Sequence, residues 1–121
     1  MSIALKRIYE EPAGEDGYRV LVDRLWPRGI SKDKAGIDEW LKEIAPTDRL
    51  RKWFHQNPSQ WDKFRRSYLA ELKKHREKLR PLAERGKSER VTLVFGGRDE
   101  RHNNAVVVKQ YLKMLGATDS T

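Results

Sequence analysis

The sequence predicts an α/β fold, a single three-layer domain with a small, largely parallel or mixed central sheet flanked by helices. Three observations predict it. Val20-Leu21-Val22 and Val91–Phe95 are short runs that are apolar on both faces, as strands covered on both sides must be. Between them, Trp61, Phe64, Tyr68, Leu72 and Leu79 recur at spacings of three, four, four and seven, one stripe of a long helix. The last periodic segment has Asp99 before it and Gly116 after it, a start and a stop for a helix. At 121 residues the chain suits one domain, assigned to residues 1–116, with a disordered tail at 117–121.

Ile3 to Tyr9 alternates as a first strand, and Pro12, Gly14 and Asp16-Gly17 mark a loop. Tyr18 to Arg24 is a second strand. The eight residues between the two are short for a parallel crossover, so the pair would be antiparallel if adjacent. Pro27 and Gly29 end that strand, and Ser31 caps a helical turn over Lys32 to Ala35. Residues 37–44 satisfy both helical and strand spacing; their eight-residue length between Gly36 and Pro46 favours strand.

Thr47 starts a short helix through about His55 that buries Leu50, Trp53 and Phe54. Pro58 and Ser59 start the long helix, with Ser59 and Asp62 as a capping box, and Arg80-Pro81 ends or kinks it. Gly86 closes the segment after Pro81, and Val91 to Phe95 is a buried strand. Glu100 to Leu115 is the last helix, with Asp99 as N-cap. Its Val106-Val107-Val108 run disfavours helix, but the caps at both ends outweigh it.

Composition narrows the chemistry. There is no cysteine, which excludes disulfides, thiolate nucleophiles and Cys-built zinc sites. His55 and His75 offer no metal spacing, and no cofactor motif is present, so neither metal nor cofactor is expected. Lys6 and Arg7 interrupt the only apolar stretch near the N-terminus, unlike a signal peptide. No run approaches the roughly 20 apolar residues that span a bilayer. The expectation is a cytoplasmic protein without a membrane partner. The formal net charge is +8. Residues 1–30 balance at five basic and five acidic side chains, whereas residues 58–90 hold eleven and five. Such a segment attracts polyanions, although a solvated helix face carries the same composition.

Two strand ends are the candidate site. One is Asp23-Arg24-Leu25-Trp26-Pro27-Arg28-Gly29; the other is Gly96-Gly97-Arg98-Asp99-Glu100-Arg101-His102-Asn103-Asn104. Ligands of open α/β sheets bind outside the carboxyl ends of strands. If both strands run parallel, Arg24, Arg28, Arg98, Asp99, His102 and Asn103 converge on one edge. Guanidinium groups and a helix N-terminus there favour a carboxylate or phosphate. Arg24 and Arg28 would hold the anion, with Arg98 beside them. His102 would move a proton, and Asp99 and Asn103 would position the ligand. Trp26 either walls the pocket or anchors its loop in the core. The plain alternative is a glycine turn tied down by salt bridges.

The run Arg7-Ile8-Tyr9, then Asp16 through Gly29, resembles the YeaO-like bacterial proteins, part of a larger group defined by a domain of unknown function. The resemblance continues in Lys32, Asp38, Trp40, Lys42 to Pro46, Leu50-Arg51, Trp53-Phe54, Trp61 and Phe64. It ends in Thr92-Leu93, Asp99 and His102-Asn103-Asn104-Ala105. It implies a bacterial or archaeal cytosolic protein with a largely parallel central sheet, and no transferable activity. Related strand-end motifs often carry cysteines near a His-Arg pair. Here His102 is followed by Asn103 and no cysteine exists, so thiol chemistry does not carry over.

These residues support two functional readings. In one, the strand-end loops bind an anionic small molecule, with or without catalysis. In the other, the basic helix of residues 61–80 lies along nucleic acid phosphates through Lys63, Arg66, Lys73 and Lys74. The sequence leaves the ligand, any turnover and the oligomeric state open.

Overall fold

Four parallel strands form one sheet in the order β1-β4-β2-β3, where β1 is Ile3–Arg7, β2 Tyr18–Leu21, β3 Glu39–Trp40 and β4 Val91–Phe95. The computed structural model describes residues 2–116, so the tail assigned to 117–121 lies outside the described residues. β4 sits at the centre because all five of its residues are buried. It pairs with β1 from Ile3↔Val91 to Arg7↔Phe95, and with β2 from Tyr18↔Val91 to Leu21↔Val94.

This placement resolves the conditional reading of β1 and β2. They are not neighbours, and both run parallel to β4. Residues 8–17 carry the chain across with only a 3-10 turn at Gly14–Asp16. The crossing requires Gly17, whose φ is +68°; a Cβ there would lie 2.2 Å from the Arg90 carbonyl oxygen.

The strand side chains alternate between two cores. On one face Ile3, Val20, Val22, Val91, Leu93 and Phe95 pack with α2 (Asp48–Gln56), α3 (Trp61–Lys73), α4 (Arg76–Ser88) and α5 (Asn104–Gly116). Phe64, Tyr68, Leu72, Leu79, Leu82, Val107, Val108 and Leu112 supply the helical side. On the other face Ile8, Leu21 and Val94 meet Ala35 of α1 (Lys32–Ala35), with Trp26, Ile30, Ile37 and Trp40 around them. This second layer is a single helical turn and its flanking loops.

Lys6, Arg19 and Thr92 also face that second layer, in a polar cluster that hydrophobic patterning does not reveal. Arg19 donates to Asp16 at 2.6 Å, to the Ala35 carbonyl at 2.7 Å and to the Gly36 carbonyl at 3.0 Å. Lys6 reaches the same carboxylate at 3.1 Å, and the Thr92 hydroxyl donates to the Asp16 carbonyl at 2.6 Å. Buried charges are tolerable when paired and hydrogen-bonded in this way. The cluster fixes the crossing loop and α1 to the sheet.

Several boundaries differ from the sequence reading. Residues 37–44 contain the expected strand only at Glu39–Trp40, followed by a 3-10 turn at Lys42–Ile44 that buries Ile44. The helix expected from Ser59 to Arg80 is two helices. α3 begins at Trp61 after Gln60, which makes no side-chain cap bond, so the Ser59–Asp62 box does not form. The break comes at Lys74-His75, where the Lys74 and His75 amides bond Glu71 and Leu72 carbonyls in a tight turn. The turn redirects the chain so that Leu72 and Leu79, both fully buried, reach the core from different helices. Pro81 neither ends nor begins an element. It lies on the exposed side of α4 and has no amide to donate to the Glu77 carbonyl one turn before it. Gly86 likewise lies inside α4, its carbonyl accepting the Ser2 amide at 2.8 Å.

α5 starts at Asn104 rather than Glu100, and Gly116 lies within the helix rather than beyond its end. The Asn103 side chain accepts the Val106 amide at 3.1 Å and so acts as the cap. Asp99 instead closes a turn, its Oδ1 accepting the Arg101 and His102 amides at 2.9 and 3.0 Å. The other two caps match the reading: Ser31 accepts the Lys34 amide and Thr47 the Leu50 amide.

Candidate functional site

β2 and β4 end side by side, so the segments leaving them emerge at one edge of the sheet. Asp23 joins them. Its Oδ2 accepts the Gly96 amide at 2.8 Å and its Oδ1 accepts the Asn104 side-chain amide at 3.3 Å. Burial pushes the Asp23 carboxyl above its ordinary 3.8, and the Gly96 and Asn104 hydrogen bonds offset part of that rise.

The next residue brings a third segment to the edge. Arg24 donates from one Nη2 to the Ala45 and Pro46 carbonyls at 3.3 and 3.1 Å, just before α2. Thr47 caps α2, and Glu71 of α3 grips the Thr47 amide and hydroxyl at 2.9 and 2.8 Å. The first turn of α2 is thereby held against the end of β2. A cleft of about 580 Å³ opens between the three segments. Its walls are Asp23, Arg24 and Leu25, then Asp48 and Arg51 of α2, then Phe95, Gly97, His102, Asn103 and Asn104.

His102 is held on two sides. Its Nδ1 lies 2.9 Å from Asp99 Oδ2, and its ring meets Trp61 edge-on with centroids 5.0 Å apart. An ionised carboxylate only accepts, so Nδ1 is the donor in this contact. The His102 hydrogen bond is the largest influence holding the Asp99 carboxyl below its ordinary 3.8, with the Arg101 amide next. Trp61 belongs to an aromatic cluster with Phe54 and Phe64, which anchors the histidine's support in the core.

Arg24, His102 and Asn103 therefore meet as the sequence suggested, with Asp99 behind His102. Arg28 and Arg98 do not line the cleft, although both are exposed. Trp26 turns to the other face of the sheet. Its Nε1 donates to the Ile30 carbonyl at 2.6 Å and its ring packs edge-on against Trp40 at 5.5 Å, the anchor reading rather than the pocket wall. Sequence reasoning missed Asp48 and Arg51. The available signal was Thr47, whose cap fixes their turn of α2, but nothing local ties that turn to Arg24. The basic set lies elsewhere. Lys63 sits over the Trp53 ring at 5.6 Å, Arg66 donates weakly to the Asp62 carbonyl at 3.4 Å, and Lys73 and Lys74 are exposed at the end of α3.

The comparisons with known proteins agree with the resemblance read from the residues. The family model described as the inactive DUF488-N3 subclade matches residues 2–120. The chain belongs to this family, DUF488-N3i. The uncharacterised protein YeaO of Escherichia coli K12 is 44% identical over 115 residues, covering 95% of this chain and all of that protein. The uncharacterised proteins Rv3073c of Mycobacterium tuberculosis H37Rv and Mb3100c of Mycobacterium bovis are each 44% identical over 70 residues. Those alignments cover 58% of this chain and 59% of each relative. No solved structure matches. Among the described residues of this DUF488-N3i chain, no helix is long and apolar enough to cross a membrane, and no group of acidic and histidine side chains is placed to hold a metal ion.

Proposed function

We propose that the strand-end cleft binds a small molecule bearing a carboxylate or phosphate, and binds it without turnover. The observation that carries the reading is the setting of Arg24. One Nη2 is spent on the Ala45 and Pro46 carbonyls, which orients the guanidinium, while Nε and Nη1 have no partner among the described residues. A guanidinium held this way loses little entropy on meeting a planar anion. Arg51 lines the same cleft, its only ionic contact among the described residues a long 3.6 Å pair with Asp48. His102, whose Nδ1 faces Asp99, borders the same cleft.

The absence of turnover rests on the lining and on the family. Among the described residues that wall the cleft there is no serine, threonine, tyrosine, lysine or cysteine, and of the other groups able to act as nucleophiles Asp48 faces Arg51 and His102 faces Asp99. Asp23, the half-buried carboxylate of the lining, is occupied in holding the two strand ends together. The family's description as an inactive subclade fits a site that has kept its shape as a binding pocket.

The test is calorimetry with inorganic phosphate, citrate and nucleoside monophosphates on the full chain and on Arg51→Ala and Arg24→Lys. At least one anion should bind saturably, more weakly to both variants, and be recovered chemically unchanged. Equal binding by both variants rules out the cleft as the binding site, and conversion of the ligand removes the claim of binding alone.

A further inference from the structure

The eleven basic side chains of residues 58–90 face only five acidic ones, and the fold uses all five locally. Asp62 pairs with Arg65, Glu77 with Arg80, Glu84 with Lys87 and Glu89 with Arg85, each three or four residues apart. Glu71 binds Thr47. The uncompensated charge collects where α3 gives way to α4. Lys73, Lys74, Arg76 and Lys78 are exposed there, and among the described residues none has an ion-pair partner.

That corner is a fixed one. Leu72 and Leu79 flank it with 0% exposure, and the His75 carbonyl accepts the Lys78 and Leu79 amides at 3.0 and 3.1 Å. Cations carried on a rigid backbone lose less freedom on binding than the same cations on a loose tail.

We infer that the α3–α4 corner is an interaction surface for the phosphate backbone of nucleic acid. Four unopposed cations within six consecutive residues complement a polyanion of closely spaced charges. The surroundings argue against a lipid surface, on which stable anchoring takes an apolar face or a lipid chain beside the basic patch. Among the described residues the exposed large hydrophobics are Tyr9, Leu25 and Met114, none of them in α3 or α4. They argue equally against an acidic protein partner, whose interface needs an apolar anchor in a pocket. The leucines at the corner are spent in the core. The groups that form the surface are cations that address phosphates rather than base edges, so the binding is of the backbone, without sequence preference.

The experiment is fluorescence anisotropy of a labelled DNA duplex with the full chain, repeated with acidic phospholipid vesicles and with polyglutamate as competitors. Four neutralised phosphates give a slope of about −3.6 in log K against log salt, roughly a hundredfold loss between about 50 and 200 mM. Lys73→Glu with Lys74→Glu should cost tenfold or more in affinity. Lys32→Glu with Lys34→Glu, an equal charge change on α1 across the sheet, should cost little. The corner variant should still bind anions in the cleft, which separates this inference from the proposed function. Absence of binding at about 50 mM salt, equal losses in the two double variants, or displacement by vesicles or polyglutamate as efficient as by unlabelled duplex would each overturn it.

Discussion

The Asp23 carboxylate accepts the Gly96 amide at 2.8 Å, and through this bond the end of β2 is tied to the loop that follows β4. The two residues are 73 positions apart in the chain. The Asn104 side chain adds a weaker contact to the same carboxylate, and the Val22 amide bonds the Val94 carbonyl at 3.1 Å just before the two loops part.

Replacing Asp23 by Ala leaves a half-buried amide without its acceptor, which costs about 1–3 kcal/mol. The chain should unfold at lower denaturant, and hydrogen exchange should quicken at Gly96 and in residues 96–104 before it quickens in β1. Unchanged exchange in that loop would show that the strand ends are held by something else.

Asp16 makes the acid limb of stability. Burial raises its carboxyl, but the Ala13 amide and the Lys6 and Arg19 hydrogen bonds outweigh it, leaving the folded value below the ordinary 3.8. A depressed carboxylate stabilises the fold above 3.8 and loses that contribution as pH falls through the folded value. Asp23 is raised, so its ionised form opposes folding, and its contribution improves as pH falls toward 3.8. Asp16→Asn should therefore be less stable at neutral pH and show a shallower loss below pH 3.8 than the parent in chemical denaturation. A parallel pair of pH profiles would contradict this assignment.

Gly17→Ala tests the crossing between β1 and β2. The new Cβ would sit 2.2 Å from the Arg90 carbonyl oxygen at a φ of +68°. Strain of this kind costs on the order of 1–3 kcal/mol before any relaxation of the β4 start. Gly29→Ala, at φ +79° with nothing within 4 Å, carries the backbone strain alone. Thermal denaturation should rank Gly17→Ala clearly below Gly29→Ala; the reverse order would refute the close approach.

Within the cleft the arginines should not be equivalent. Arg51→Ala removes a charge-assisted donor worth about 1.5–3 kcal/mol, roughly a tenfold or greater loss of anion affinity. Arg28→Ala and Arg98→Ala, which do not line the cleft, should leave affinity near that of the parent. Loss on Arg28→Ala equal to that on Arg51→Ala would put the anion on the loop after β2 instead.

The sheet was legible where burial dominates. Val20–Val22 and Val91–Phe95 carry the pattern of covered strands, and Ser31 and Thr47 announce their helices. The hidden features depend on distant partners. The parallel placement of β1 and β2 needs β4 to arrive between them, 70 residues after β2 has ended. The break at Lys74-His75 is set by where Leu72 and Leu79 find the core, which outranks the local signal of Pro81. The late start of α5 comes from Asp99 bonding the His102 amide and ring while Asn103 takes over the cap. The site was half legible for the same reason. Arg24 and His102 flank glycine- and proline-marked strand ends, whereas Arg51 enters only through the contact of Arg24 with the Ala45 and Pro46 carbonyls.

Titration of inorganic phosphate into the ¹⁵N-labelled chain, read by amide chemical shifts, tests the anion-binding cleft most directly. An anion seated in the cleft predicts saturable shifts at Gly97, at His102 to Asn104 and at the start of α2, weakened tenfold or more by Arg51→Ala. Shifts confined to Lys73–Lys78, or none that saturate with any of the anions tried, would contradict it.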